Sequence, residues 1–220
     1  LIIEPTQSAW KNVNLKYYRE LEKRGIPYLM LHAYYPELDP AYIVMDDEKG
    51  GYMAAEYLIQ LGHKKIAGVF KADDLQGVKR RDGFLKALKK YGVKITPDFL
   101  GYYETAQLYS YPYQFGRALF TKGERPTAMV CYNDQVALMV LEALRDEKIK
   151  VPEEFSLISF DDSSLAVASE VKLSSIKHPK AAMGRQAARL ILDMIESKVI
   201  KPCQVYQPEL VLRSSCRAPS

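Results

Sequence analysis

Apolar residues fall along this chain in two alternating patterns: short unbroken runs rich in β-branched side chains, and longer stretches where they recur every three or four positions. Unbroken runs read as strands buried on both faces, and the longer period reads as amphipathic helix. Leu1 to Ile3 is a strand ending at Glu4-Pro5, Leu15 to Arg24 a helix closed by Gly25, and Tyr28 to His32 the strand that completes a βαβ unit. Ile43 to Met45 leads into Asp46-Asp47, where a carboxylate can cap a helix from Glu48 to Leu61. A second series then alternates strands at Ile66 to Phe70, Phe99 to Tyr103, Ala128 to Tyr132 and Phe155 to Phe160 with helices around Asp82 to Tyr91, Tyr113 to Thr121 and Gln135 to Glu147. Ser174 to His178, a helix from Pro179 to Ser197 and a strand from Gln207 to Arg213 close the chain. This alternation predicts an α/β fold with parallel sheets. Leu1 already lies inside an apolar strand, and the first series has fewer strands than the second, so residues upstream of Leu1 are expected.

Composition narrows the class without naming a function. The 220 residues are 48% hydrophobic, enough to bury a full core. No apolar run approaches the roughly 20 residues of a membrane span, and the start lacks a secretory layout, so the expectation is no membrane and a cytoplasmic location. Three cysteines without C-x-x-C spacing argue against a disulfide framework or a zinc site. The net charge of +4 is scattered along helices and reads as solvated faces. No nucleophile elbow, metalloprotease helix, phosphate loop or dinucleotide fingerprint is present, so neither catalysis nor a cofactor is expected.

Candidate chemistry gathers where strands end. In open α/β sheets ligands bind at the carboxyl ends of strands. Three segments deliver polar side chains there: Gly68 to Asp74 leading to Arg80, Ala128 to Asn133, and Leu157 to Asp161. A sugar offers adjacent hydroxyls that donate and accept, which a fixed guanidinium fork, an amide and a carboxylate can grip together. Each residue also has an ordinary reading: Arg80 as a surface helix residue, Asn133 as a turn, and Asp161 as a helix cap, a role that suits Asp162 better.

Gly62-His63 with Lys65-Ile66, Arg80-x-x-Gly83-Phe84, Pro126-Thr127-Ala128 to Tyr132-Asn133-Asp134, Val151-Pro152, Ile158 to Asp162, and Ser175-Ile176 with Pro179 come in the order and spacing of the lactose/galactose repressor family. The chain resembles that family over nearly its whole length, and its strings Ile2 to Thr6, Phe70 to Asp74, Gln76 to Arg80 and Ser169 to Leu173 look most like the arabinose-responsive branch. The resemblance implies a periplasmic-binding-protein-like fold of type I: two α/β subdomains with parallel sheets, three crossovers and a ligand cleft between them. Residues 1–47 with 177–199 are expected to form the N-terminal subdomain, incomplete here, and 48–176 with 200–220 the C-terminal one. It further implies a sugar effector, L-arabinose or a similar monosaccharide, a homodimer, and operator DNA bound through a module not in this chain.

By the same resemblance Arg80, Asp161 and Asn133 match the family's effector contacts. Lys71 and Gln76 are expected on the strand-to-helix loop carrying Arg80, His178 near a crossover, Glu4 at the end of the first strand, and Tyr103, with Tyr102 and Glu104, on a ligand-facing loop. Which of Asp46, Asp47, Glu48 and Lys49 faces the ligand stays open. The helix Ala181 to Ile195, with Ala187, Ile191 and Met194 at helical spacing, either lines a dimer interface or packs on its own sheet. A sugar-binding protein for transport, or a repressor domain sensing a hexose or purine, is the alternative function.

Overall fold

The computed structural model describes residues 1–121, 123–198 and 201–219. Its contacts divide the chain into two compact units: residues 1–46, 73–76 and 179–207, and residues 47–72, 77–178 and 208–220.

The first unit is built on strands β1 (Ile2–Ile3), β2 (Leu29–Leu31), β3 (Ala41–Met45) and β9 (Cys203–Tyr206), parallel and in the order β1-β2-β3-β9. On one face Leu29, Ala41 and Ile43 pack against Met183, Ala187 and Ile191 of helix α7 (Lys180–Ile195). On the other, Met30 with Tyr28, Tyr35 and Leu38 receives Leu15, Tyr18 and Leu21 of helix α1 (Leu15–Lys23). Of the two readings offered for α7, packing on its own sheet is the one observed for Ala187 and Ile191, which are buried there, while Met194 sits partly buried beside them.

The second unit carries a six-stranded sheet of order β10-β8-β7-β6-β4-β5, from β4 (Ile66–Lys71), β5 (Leu100–Tyr103), β6 (Ala128–Cys131), β7 (Ser156–Asp161), β8 (Ser174–Lys177) and β10 (Glu209–Val211). The β4, β5, β6, β7 and β8 strands are parallel, and β10 joins antiparallel at the edge. Because helices cover both faces of a parallel sheet, the central β4, β6 and β7 are buried nearly end to end, which is why they read as unbroken apolar runs. The helices are α2 (Asp47–Gln60), α3 (Leu75–Lys90), α4 (Tyr111–Thr121), α5 (Asp134–Asp146) and a five-residue α6 (Ser164–Ala168). The chain leaves β4 for β5 on one side and returns to β6 on the other, so the strand order reverses at β4, where such sheets open a crevice at their carboxyl ends.

Several expectations need correction. β9 was not foreseen; its exposed and half-buried residues alternate without an apolar run, yet it hydrogen-bonds along β3. Residues 201–207 therefore belong with the first unit rather than with 208–219, as do 73–76, and the expected boundary at 199–200 lies outside the described residues. Helix α3 begins at Leu75, not near Asp82. Its first turn, Leu75 to Val78, contains Gly77, a poor helix former that hides the start, which is marked instead by Ser8 Oγ accepting from Leu75 N at 2.9 Å.

Candidate functional site

The carboxyl edge of the six-stranded sheet collects Lys71 from β4, Tyr103 from β5, Asn133 after β6, Asp161 from β7 and His178 after β8. Register places Lys71 opposite Tyr103 and Asp161 opposite Lys177. Arg80 joins them from the second turn of α3.

Arg80 is 1% exposed, so the surface reading is excluded. Its Nε donates to Asp47 Oδ1 at 2.8 Å, in an ion pair whose side chains are both almost wholly buried, and its Nη1 donates to the Tyr132 carbonyl at 2.7 Å. The guanidinium also lies 4.4 Å from the Phe160 ring centre and 4.9 Å from that of Tyr132, within cation–π range. Burial alone would lower its pKa, but Asp47, Tyr132 and Asp161 outweigh that and raise it.

Of the stretch Asp46 to Lys49, Asp47, the first residue of α2, is the one that pairs with Arg80. It reaches Arg80 because α2 and α3 meet at backbone distance. A methyl group on Gly51 would overlap the Arg80 carbonyl oxygen, and one on Gly83 would overlap that of Glu48. Gly83 in the string Arg80-x-x-Gly83-Phe84 was the available signal for this approach.

Asn133 caps α5, its Oδ1 accepting from Val136 N at 2.9 Å in extended backbone. The cap uses the oxygen and leaves the amide Nδ2 as the group to offer a ligand. Asp161 keeps 20% of its side chain exposed and has His178 Nδ1 4.0 Å from its Oδ1. His178 itself is 6% exposed. Asp161 and Asp162 both adopt left-handed backbone, with φ of 99° and 48°. Asp162 does not cap α6; Ser163 does, while Asp162 accepts from Arg213 Nη2 at 2.5 Å.

Asp134, the residue after Asn133, was not singled out from the sequence. Its buried carboxylate accepts from Ser159 Oγ at 2.5 Å, Ser175 Oγ at 2.8 Å, Ser163 N at 2.7 Å and Ser163 Oγ at 2.8 Å. Burial, then Asp134, pushes the neighbouring Cys131 thiol up, out of the reactive range.

The remaining expectations divide. Lys71 ends β4 rather than lying in a loop, and Gln76 is already the second residue of α3, in the segment grouped with the first unit. Glu4 is exposed after β1 in the first unit. Tyr103 is 1% exposed and packs in the core between Tyr111 and Tyr132; Tyr102 is the exposed one of the pair. A surface hollow of about 700 Å³ in the second unit, lined by Leu138, Leu141, Arg145, Ile149 and Val151 among others, contains none of the eight predicted residues. The polar convergence lies at the strand ends.

A parallel sheet with a reversal of strand order and charged, amide and carboxylate groups at its carboxyl edge defines a ligand-binding α/β domain, and residues 55–216 match the periplasmic binding protein-like domain family. The chain belongs to that family, in the form carried by LacI-type transcription regulators. More particularly, it is 47% identical over 98% of its length to the arabinose metabolism transcriptional repressor of Halalkalibacterium halodurans, and 44% identical over 99% to that of Geobacillus stearothermophilus. It spans 59% and 61% of those two proteins. Among solved structures it superposes on a cellobiose complex of the regulator CelR, with TM-score 0.85 and 27% identity over 97% of this chain and 64% of that one. A LacI-family regulator from Enterococcus faecium with bound ribose gives TM-score 0.83 and 25% identity over 100% of this chain and 80% of that one.

Proposed function

We propose that this chain is the effector-sensing part of a cytoplasmic transcription repressor, and that L-arabinose, or a monosaccharide like it, binds at the carboxyl edge of the six-stranded sheet. The observation that carries the reading is the convergence of Asn133, Asp161 and His178 at that edge, in a chain so similar to arabinose repressors. Asp161 accepts from two sugar hydroxyls, the Asn133 amide donates to another, and Arg80, the third residue matched to the family's effector contacts, brings its guanidinium to the same edge. Binding favours one conformation of the protein and lowers the affinity of an attached DNA-binding module for its operator; a coupling of about 1–3 kcal/mol switches expression several-fold or more. Two copies act together, because palindromic operators match two-fold protein symmetry.

Isothermal titration of the full-length protein with L-arabinose, D-galactose, D-ribose, D-xylose and D-glucose in parallel tests this. Saturable binding of arabinose alone, at micromolar to low millimolar strength, is the expected result. An isotherm only with another of the sugars keeps the sensor and replaces the effector. Silence with all five removes the sugar-sensing reading.

A further inference from the structure

We infer that Asp134 is the positioning residue that sets effector affinity: its carboxylate clamps the Asp161–Asp162 turn in the conformation that presents Asp161 to the ligand. The inference rests on the effector reading above and goes beyond it, since Asp134 is 1% exposed and acts through another residue.

The turn it clamps is unusual. Two successive non-glycine residues hold φ of 99° and 48°, a region where the Cβ of an L-residue crowds the backbone. Such a conformation persists only where its surroundings over-determine it. Here the surroundings converge on one carboxylate. Asp134 Oδ1 takes the hydroxyl of Ser159, two residues before Asp161, and that of Ser175 on the adjacent strand. Its Oδ2 takes both the amide and the hydroxyl of Ser163, the residue directly after the turn. Ser175 Oγ in turn accepts from Asp162 N at 3.0 Å, which carries the clamp into the turn itself. Both flanks and the middle of the turn are therefore tied to a single side chain at the start of α5.

A carboxylate is specifically required. All four partners donate, and a carboxylate is an acceptor at both oxygens. An asparagine would turn an NH₂ toward two of those donors. With its oxygen kept on the fixed Ser163 amide, that NH₂ faces the Ser159 and Ser175 hydroxyls, which must turn round to accept, and Ser175 then gives up its place as acceptor for Asp162 N or shares it. The position directly after Asn133 also means that one short segment supplies both an amide for the ligand and the anchor for Asp161.

The test compares Asp134→Asn in two backgrounds of the full-length protein, native and Asp162→Gly. Glycine accepts positive φ without strain, so a turn carrying it depends less on the clamp. L-arabinose affinity by isothermal titration is expected to fall about tenfold or more for Asp134→Asn in the native background, and by only a few-fold in the Asp162→Gly background. Amide hydrogen exchange at residues 161–163 is expected to quicken in Asp134→Asn more than elsewhere in the second unit. Ser175→Ala and Ser163→Ala remove fewer donors and should give the same pattern at smaller size, which keeps the test decisive if Asp134→Asn does not fold. Equal losses in both backgrounds, or affinity within twofold of wild type, overturn the clamp while leaving the effector reading intact. A wild-type protein that binds none of the sugars overturns the effector reading instead; hydrogen exchange still tests whether Asp134 holds the turn.

Discussion

A guanidinium held out of water beside a carboxylate is a liability unless both charges stay together. Arg80 and Asp47 are each almost completely buried and 2.8 Å apart, with the aromatic rings of Phe160 and Tyr132 supplying much of the remaining surround. Removing one partner strands the other, at a cost of about 3–5 kcal/mol. Arg80→Ala is therefore expected to lower unfolding stability by that amount in urea titrations, before any loss of ligand contact is considered. The apolar pair Arg80→Met with Asp47→Leu should recover most of it, because replacing a buried ion pair by well-packed apolar groups is often neutral. If the double variant is as unstable as the sum of the singles, the pair is not the source of the cost.

Elements meet where glycine lets them, and the crossing of α2 and α3 delivers Asp47 to Arg80. Gly83→Ala places a methyl against the Glu48 carbonyl, so the two helices must separate. The expected outcome is a loss of about 1–3 kcal/mol of stability with weakened sugar binding, read by thermal unfolding and titration together. The C-terminal segment is held by hydrogen bonds instead. Ser215, fully buried, accepts from Ser174 N and donates to the Leu157 carbonyl at 2.8 and 2.6 Å, and His63 Nε2 lies 3.0 Å from the Arg217 carbonyl. Burial lowers the pKa of His63 below its ordinary 6.5, while the Arg217 carbonyl works the other way. As pH falls, the unfolded chain takes up this proton first, so the contribution of His63 is intact above 6.5 and is lost as pH falls toward the lower folded value. Urea midpoints should drop as pH falls through 6.5 and below, and His63→Gln should flatten that drop. Much of this scale was legible beforehand, since the central strands are buried on both faces and carry unbroken apolar runs. What escaped was short or weakly patterned: β9 with its alternating exposure, the five residues of α6, and the glycine-containing first turn of α3. At the site, Arg80, Asn133 and Asp161 stood out by motif, whereas Asp47 and Asp134 look like ordinary helix-start acids until their distant partners are in place. Which of Tyr102 and Tyr103 is buried was not legible, because one position along a strand exchanges the solvent face for the core.

For the whole molecule, a ligand that binds only the folded state stabilises it by mass action, about 2.7 kcal/mol at a hundredfold excess over Kd. L-arabinose is accordingly expected to raise the thermal midpoint in a concentration-dependent way, with D-glucose leaving it unchanged; equal shifts from both sugars would mark a non-specific effect. Sedimentation of the full-length protein at tens of micromolar should give a dimer, and a monomer alone would remove the two-copy reading. Chain connectivity adds a consequence of its own. β3 pairs with β9, so the last strand of the first sheet is synthesised only after β4, β5, β6, β7 and β8 of the second. On the ribosome the first unit must wait with that flank of β3 open while β4, β5, β6, β7 and β8 emerge and can assemble. Nascent chains arrested before Cys203 should therefore expose a sticky strand edge to chaperones or to one another, and vectorial synthesis finishes the second unit's parallel core before the first sheet can close.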